Sequence, residues 1–116
     1  MVCAKFAAEN GSLIMDMKGH ASFAELGKDP VCAGASILAM TAAQCVRGME
    51  AEGKLRKKAK IRICSGRVLV VCTPKQEFFS EALHLYYITE TGMHLLSESY
   101  PDNVTLIPFV IPDAGV

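Results

Sequence analysis

A histidine and a cysteine twelve residues apart, His20 and Cys32, are the residues of this chain best placed to do chemistry. Cys32 falls where the sequence predicts the start of a helix, and His20 lies on the loop that leads into it. The N-terminus of a helix presents unpaired N–H groups and a partial positive charge, and both stabilise a thiolate. A nearby imidazole can take the thiol proton and later return it. The pair therefore predicts a cysteine nucleophile with a histidine base.

The residues alone leave two other interpretations of Cys32 open. Free cysteine is among the most buried residue types, so Cys32 also fits a small core position on a helix. A redox-sensing thiol is another interpretation, although no second cysteine lies near it in the sequence. The remaining cysteines are predicted to be core residues on strands or helices: Cys3, Cys45, Cys64 and Cys72. No Cys-x-x-Cys pair or recognisable histidine spacing predicts a metal site, and no cofactor is expected.

The first elements along the chain are predicted from a turn and a cap. Asn10-Gly11 separates the segments 2–8 and 12–18 and predicts a β-hairpin, because both turn positions need a positive φ. Asp29-Pro30 predicts a helix start, in which a carboxylate caps the helix and proline takes the first helical position. Gly53 predicts the end of that helix.

Apolar residues of this helix recur at steps of three and four and predict its core-facing side: Val31, Ala35, Leu38, Ala42, Cys45 and Met49. Cys32 lies about 100° from Val31 around the helix axis, beside that stripe. The face of Cys32 carries the small residues Ser36, Ala39 and Ala43. We therefore expect free space beside the thiol.

The second half of the chain predicts another hairpin and another helix. Ser65-Gly66 separates the segments 59–64 and 67–72, which are predicted to pair. Thr73-Pro74-Lys75-Gln76 has the pattern of a capping box and predicts the start of a helix that ends near Tyr100-Pro101.

The last segment, 104–110, contains Pro108 and predicts a strand at the edge of a sheet. The predicted fold class is α+β, with one small domain over 1–116 and the element order ββαββαβ. In this fold two helices pack with short, mainly antiparallel β-sheets.

Composition narrows the classes of function. The chain has 116 residues, of which 51% are hydrophobic and 21% are charged, so it is expected to fold around one core. Twelve basic and twelve acidic residues cancel, and no general attraction to nucleic acid or anionic membrane is expected. No signal peptide and no run of about 18 apolar residues is present. Free thiols then predict a cytoplasmic protein without a membrane partner.

Three short motifs at fixed spacing resemble a known family. Gly19-His20-Ala21, Gly27-Lys28-Asp29 and Val31-Cys32-Ala33 with Ser36 are similar to the motifs of the ribosomal-processing cysteine protease family, Prp. The similarity extends to chain length, the first hairpin, the helix after the cysteine and the second hairpin with its helix. It therefore covers nearly the whole chain.

The resemblance implies a small cytoplasmic endopeptidase that works as a homodimer. Its implied substrate is the precursor of large-subunit ribosomal protein twenty-seven, from which it removes a short N-terminal extension. Carried over by position, Cys32 is the nucleophile and His20 is the base and acid. The backbone N–H groups of Cys32 and Ala33 are expected to stabilise the oxyanion. An apolar substrate groove is implied as well.

The loop 20–28 is expected to act as a lid over that groove. Gly19 and Gly27 bracket the loop and are predicted hinges. Phe23 and Leu26 would supply its apolar contacts with the substrate.

Two supporting residues keep alternative roles. Asp29 either caps the helix, in which case it occupies the Cys32 N–H and disfavours the thiolate, or orients His20 as the third member of a triad. Ser36 either bonds back to a carbonyl one turn earlier, or has a functional role in which it tunes Cys32 through a hydrogen bond or lines the pocket.

The segment 54–62 holds six of the twelve basic residues of the chain. The favoured interpretation is a helix end followed by charges that alternate along a strand and discourage edge pairing. The alternative is direct contact with RNA, which would make the protein a non-catalytic ribosome- or RNA-binding assembly factor. No aromatic residues are interleaved, so stacking on single-stranded bases is not expected.

Overall fold

The computed structural model describes residues 1–19 and 29–110, and all elements named below lie within these ranges. The strands are β1 (Val2–Glu9), β2 (Ser12–Gly19), β3 (Lys60–Cys64), β4 (Arg67–Cys72) and β5 (Val104–Ile107), and the helices are α1 (Pro30–Ala51) and α2 (Phe79–Ser99). A short 3₁₀ turn at Gln76–Phe78 precedes α2. The predicted order ββαββαβ is confirmed.

The described strands form one mixed sheet in the order β3-β4-β2-β1-β5. β1 pairs with β2, β2 with β4 and β4 with β3, all antiparallel, whereas β5 joins β1 in parallel. The α+β class is confirmed, with a single sheet where the sequence allowed several. β5 lies at an edge, as Pro108 predicted.

Both predicted hairpins are present, and their turn residues explain them. Asn10 and Gly11 have φ values of 51° and 82°, the left-handed pair that a two-residue turn between antiparallel strands requires. Gly66 has a φ of 75° in the β3–β4 turn. The turns therefore fix the register of β1 with β2 and of β3 with β4.

The two helices cover one face of the sheet and pack against each other. A side chain at Gly92 of α2 would meet Leu38 of α1, and one at Gly34 would meet Leu96, so the helices run antiparallel at close range. The core between helices and sheet is built from small α1 residues and larger strand residues, among them Phe6, Leu13, Met15 and Val70. α1 is long and apolar enough to cross a membrane by composition, and seven of its residues are buried.

The side of α1 that faces the core differs from the predicted stripe. The buried residues are Val31, Ala35, Ala39, Ala42, Ala43, Val46 and Met49. Leu38 is half-buried against α2 and Cys45 is exposed. The stripe is shifted because α1 contacts two surfaces, the sheet and α2, and alanines fill the narrow side toward the sheet.

Two further predictions are wrong. Thr73 does not cap α2, since its buried hydroxyl hydrogen-bonds Ser12 at 2.6 Å and α2 has no side-chain cap. Of the four cysteines assigned to the core, only Cys72 is buried. Cys3 is half-buried, and Cys45 and Cys64 are exposed.

Candidate active site

Cys32 lies in the first turn of α1, and the residues before it explain the position of the turn. Asp29 is the N-cap, with an extended backbone (φ −86°, ψ 108°) and a carboxylate that is 6% exposed. Its Oδ1 accepts hydrogen bonds from the N–H of Val31 at 2.9 Å and of Cys32 at 3.1 Å. Pro30 follows at the first helical position and has no N–H to satisfy. The thiol is therefore held on a rigidly capped helix end.

Of the two roles predicted for Asp29, the structure shows the helix cap and does not test the orientation of His20. Its carboxylate caps the helix, as one of the two interpretations required. The second interpretation, that Asp29 orients His20, stays a prediction because His20 lies outside the described residues.

The same contacts change the expected oxyanion site. The N–H of Cys32 donates to the Asp29 carboxylate, and the N–H of Ala33 donates to the Asp29 carbonyl at 3.0 Å. Both expected oxyanion donors are therefore engaged in this structure, and the helix N-terminus supplies no spare N–H within its first turn.

Cys32 opens onto a cleft of about 430 Å³ between the start of α1 and the β3–β4 hairpin. The apolar part of the lining comes from strands and helix together: Val2, Met17, Met40, Ile63 and Val68. Ser36, Ala33 and Asp29 line the helix side. Ser36 is exposed, and within the described residues its hydroxyl makes no hydrogen bond, unlike Thr41, which bonds the Ile37 carbonyl. The structure thus places Ser36 in the pocket.

Gly19 lines the opposite side of the cleft and closes it through the backbone. Its N–H donates to the Gly66 carbonyl at 2.8 Å, which joins the end of β2 to the β3–β4 turn. Its φ is 94°, and a Cβ there would collide with the Met1 carbonyl oxygen. Gly19 is therefore a tightly packed strand end. His20 is the next residue along the chain, and it lies with the predicted lid 20–28 outside the described residues.

The hairpin wall of the cleft is the part that sequence reasoning missed. Ile63, Cys64, Ser65 and Gly66 form it, although the sequence places them some thirty residues beyond Cys32. Ser65-Gly66 signalled a turn, but only the pairing of β4 with β2 brings that turn to Gly19. The exposure of Ile63, 42%, shows that the wall presents apolar surface.

Arg67 anchors the base of this hairpin. Its Nε and Nη2 each lie 3.1 Å from one oxygen of Asp16 on β2, and this bidentate pair raises the pKa of Arg67. The guanidinium also lines the cleft. The ion pair thereby fixes β4 to β2 at the mouth of the cleft.

A half-exposed thiol on a capped helix start, open to an apolar cleft, matches the nucleophile half of a cysteine peptidase site. The family model for cysteine protease Prp matches residues 1–105. The chain belongs to the cysteine protease Prp family. As a Prp family member it is a cysteine protease, and the assignment of enzyme class from the sequence is confirmed. None of the curated proteins matches the chain.

Solved structures share the Prp fold. The ribosomal processing protease Prp from S. aureus with a covalently linked product peptide has a TM-score of 0.73 and 21% identity, covering 95% of this chain and 100% of that one. The same enzyme with a substrate peptide gives 0.68 and 20%, with the same coverage. SMU.848 from Streptococcus mutans gives 0.65 and 24%, covering 95% of this chain and 96% of that one.

Proposed function

We propose that this Prp family member is the endopeptidase that removes the N-terminal extension from the precursor of large-subunit ribosomal protein twenty-seven. The observation that carries the proposal is the position of Cys32, which opens from the start of α1 onto the apolar cleft. An extended peptide with apolar residues beside the scissile bond fits such a lining. The similar S. aureus enzyme, described as a ribosomal processing protease, supports the choice of a ribosomal protein.

The chemistry proceeds in two steps. Cys32 gives its proton to His20, and Sγ attacks the scissile carbonyl carbon; the C–N bond then breaks as His20 protonates the leaving amine. In the second step water gives a proton to His20 and attacks the thioester carbon. The C–S bond breaks, and the proton returns to Cys32. The proton that Cys32 loses leaves with the amine product, and a proton from water restores the thiol at the end of the turnover.

The oxyanion needs donors that the cap does not already use. The hydroxyls among the described lining residues of the cleft belong to Ser36 on the helix and Ser65 on the hairpin. We assign the oxyanion to these two groups. Replacement of either serine by alanine is expected to lower kcat by about 10²-fold or more, with little change in KM.

The same proposal includes a homodimer and a cytoplasmic location. The outer surface of the helical layer exposes Ile37 on α1, at 64%, and Ile88 on α2, at 67%. Leu95 lies two turns beyond Ile88 and is 59% exposed. A second copy of the chain is the occupant we assign to this surface. All five cysteines are free, which supports a reducing compartment.

Sedimentation velocity tests the dimer. The variant Ile88→Glu is expected to sediment as a monomer, because a charge would be buried in the interface. Ile107→Glu, which places the same charge on the edge strand β5, is expected to leave the dimer intact. A wild-type monomer at micromolar concentration would contradict the assignment.

Mass spectrometry of the extended precursor tests the protease activity. Wild type is expected to release one N-terminal peptide, whereas Cys32→Ala and His20→Ala release none. Cys45→Ser is the matched control, because it changes an exposed thiol of the same helix that does not line the cleft. Intact precursor after incubation with folded wild type would refute the substrate assignment.

A further inference from the structure

One face of the sheet carries no layer of described structure, and the strand register maps its side chains. The strand residues that alternate with the core-facing ones point to this open face. One row across it reads Thr105, Cys3, Lys18, Arg67 and Cys64, the next reads Ile107, Lys5, Asp16, Leu69 and Arg62, and the third reads Ala7, Ile14, Val71 and Lys60. A last row at the end of β1 reads Glu9 and Ser12. The open face is therefore an ordered grid about 14 Å wide from β1 to β3.

Cations dominate this grid. Its five basic residues are Lys5, Lys18, Lys60, Arg62 and Arg67, against two acidic residues, Asp16 and Glu9. Asp16 is shared by Arg67 at 3.1 Å and Lys18 at 3.6 Å. Within the described residues Lys5, Lys60 and Arg62 form no ion pair and are exposed. Most of the positive charge on the face is therefore uncompensated.

The loop between α1 and β3 extends the same surface. The Arg56 N–H donates to the Thr73 carbonyl at 2.8 Å, which fixes the loop beside the end of β4. Arg56 and Lys57, together with Glu9, line a shallow groove of about 560 Å³ whose floor includes Ile14 and Val71 of the open face. Two more cations thus join the grid along one continuous surface.

The second helix of the opposite layer carries acidic residues. α2 holds three glutamates, Glu81, Glu90 and Glu98, and no lysine or arginine. The zero net charge of the chain therefore hides a basic sheet face and an acidic helical face. Such a separation orients the protein toward a polyanion with the sheet face first.

The side chains of the open face indicate whether it would bind a duplex or an unstacked single strand. Leu69, at 8% exposed, and the half-buried Ile14 and Val71 lie below the longer charged side chains. Among the described strands no aromatic residue points to this face, so no platform for unstacked bases is present. Cations spaced by the strand register instead match the regularly spaced phosphates of a folded duplex.

We propose that the open sheet face, together with Arg56 and Lys57, binds folded RNA through its phosphate backbone. The choice of RNA among polyanions rests on the proposed function, since the proposed substrate belongs to a ribosomal particle. The face meets the active-site cleft at the β3–β4 hairpin, where Arg67 and Cys64 belong to both. RNA held on the face therefore brings a protein bound to the same particle to the mouth of the cleft.

Fluorescence anisotropy with a labelled RNA duplex of about 16 base pairs tests the proposal. Wild type is expected to bind, and log K to fall with log salt at a slope of about −3.6 if about four phosphates are neutralised. The double variant Lys60→Glu with Arg62→Glu is expected to bind at least tenfold more weakly. Its matched control is Arg47→Glu with Thr41→Glu and Gln44→Glu, three exposed positions of α1. This control changes net charge equally away from the face and is expected to stay within twofold.

A milder variant, binding to lipid vesicles and the variant Cys32→Ala complete the test. Arg56→Gln with Lys57→Gln lies outside the strands and is expected to weaken binding several-fold even if the first variant unfolds. Equal losses in the face variant and the control, absence of wild-type binding, or tighter binding to phosphatidylserine vesicles than to RNA would each overturn the proposal. Cys32→Ala is expected to bind RNA like wild type, so failure of the protease assay and failure of RNA binding remain distinguishable.

Discussion

The cleft at the start of α1 and the interior beneath α2 each contain a cysteine that lies close to a hydrogen-bonded polar side chain. In the cleft, Cys32 stands next to Asp29, whose buried carboxylate accepts two backbone N–H bonds. In the interior, Cys72 lies near Tyr86, whose hydroxyl donates to the Val70 carbonyl at 3.0 Å. Burial raises the pKa of the Cys72 thiol and keeps it protonated. The difference is access: packing seals one thiol, and the other opens to a cleft that a peptide can enter.

Replacing each of the two cysteines by alanine in its own variant should give opposite results, one losing activity and the other losing stability. Cys32→Ala is expected to lower the rate of precursor cleavage by about 10⁶-fold, because the nucleophile is lost. Its thermal midpoint should stay close to that of wild type. Cys72→Ala removes a buried thiol and is expected to cost about 1–2 kcal/mol of unfolding free energy with kcat preserved. Cleavage rates and calorimetry measure both, and a catalytic defect in folded Cys72→Ala would break the comparison.

Glycine replacement tests how tightly the cleft is built. Gly19→Ala is expected to cost about 2–4 kcal/mol, because a positive φ is combined with a collision against the Met1 carbonyl. Gly11→Ala is the control, since its φ is also positive and nothing lies within 4 Å of its added Cβ. It should cost about 1–2 kcal/mol. Urea unfolding measures both, and equal costs would mean that the close approach at Gly19 is unimportant.

The buried pair Cys72 and Tyr86 predicts that the free energy of unfolding falls at alkaline pH. Burial raises the pKa of Tyr86 as it does that of Cys72, so both groups are neutral in the folded protein. Their stabilisation is complete below the unfolded values, about 8.5 for cysteine and about 10 for tyrosine, and is lost as the pH rises above them. Tyr86→Phe is expected to cost about 1–2 kcal/mol at neutral pH, since a buried hydrogen bond is lost.

The same substitution should also flatten the alkaline limb, because the phenol that must ionise on unfolding is gone. Unfolding free energies measured between about pH 7 and pH 11 show both effects. A variant curve parallel to that of wild type above about pH 10 would contradict the role assigned to Tyr86.

The smallest expected effect separates the two roles of Asp29. Asp29→Asn keeps an oxygen acceptor for the helix N–H groups and should change stability by a few tenths of a kcal/mol, whereas Asp29→Ala should cost about 1 kcal/mol. If Asp29 only caps the helix, Asn retains full cleavage activity. If it also orients His20, Asn lowers kcat while the thermal midpoint stays unchanged.

Local signals predicted most of the fold. Asn10-Gly11 and Asp29-Pro30 act through a few neighbouring backbone groups, so sequence shows the first hairpin and the start of α1 directly. Thr73 failed as a cap because its hydroxyl finds Ser12, a residue 61 positions away that only the sheet brings near. Cys64 failed as a core residue because β3 became an edge strand.

The same distinction between local and long-range contacts applies to the candidate site. Cys32 and its cap are local to α1, and the motif found them. The facing wall of Ile63 to Gly66 depends on the pairing of β2 with β4, which no spacing along the chain encodes. Sequence therefore singled out the thiol that we propose as the nucleophile, but not the apolar wall that faces it across the cleft.

The parallel pairing of β1 with β5 has a consequence for when the enzyme becomes active during synthesis. Val2 contributes to the cleft, and its N–H donates to the Asn103 carbonyl at 2.8 Å, next to its strand partner Val104. The first strand is thus completed by the last of the described strands to be made, a contact of very long sequence separation. A nascent chain still lacking β5 has Cys32 and both hairpins but an unfinished cleft, so proteolysis is expected to begin only after β5 has left the ribosome that makes it.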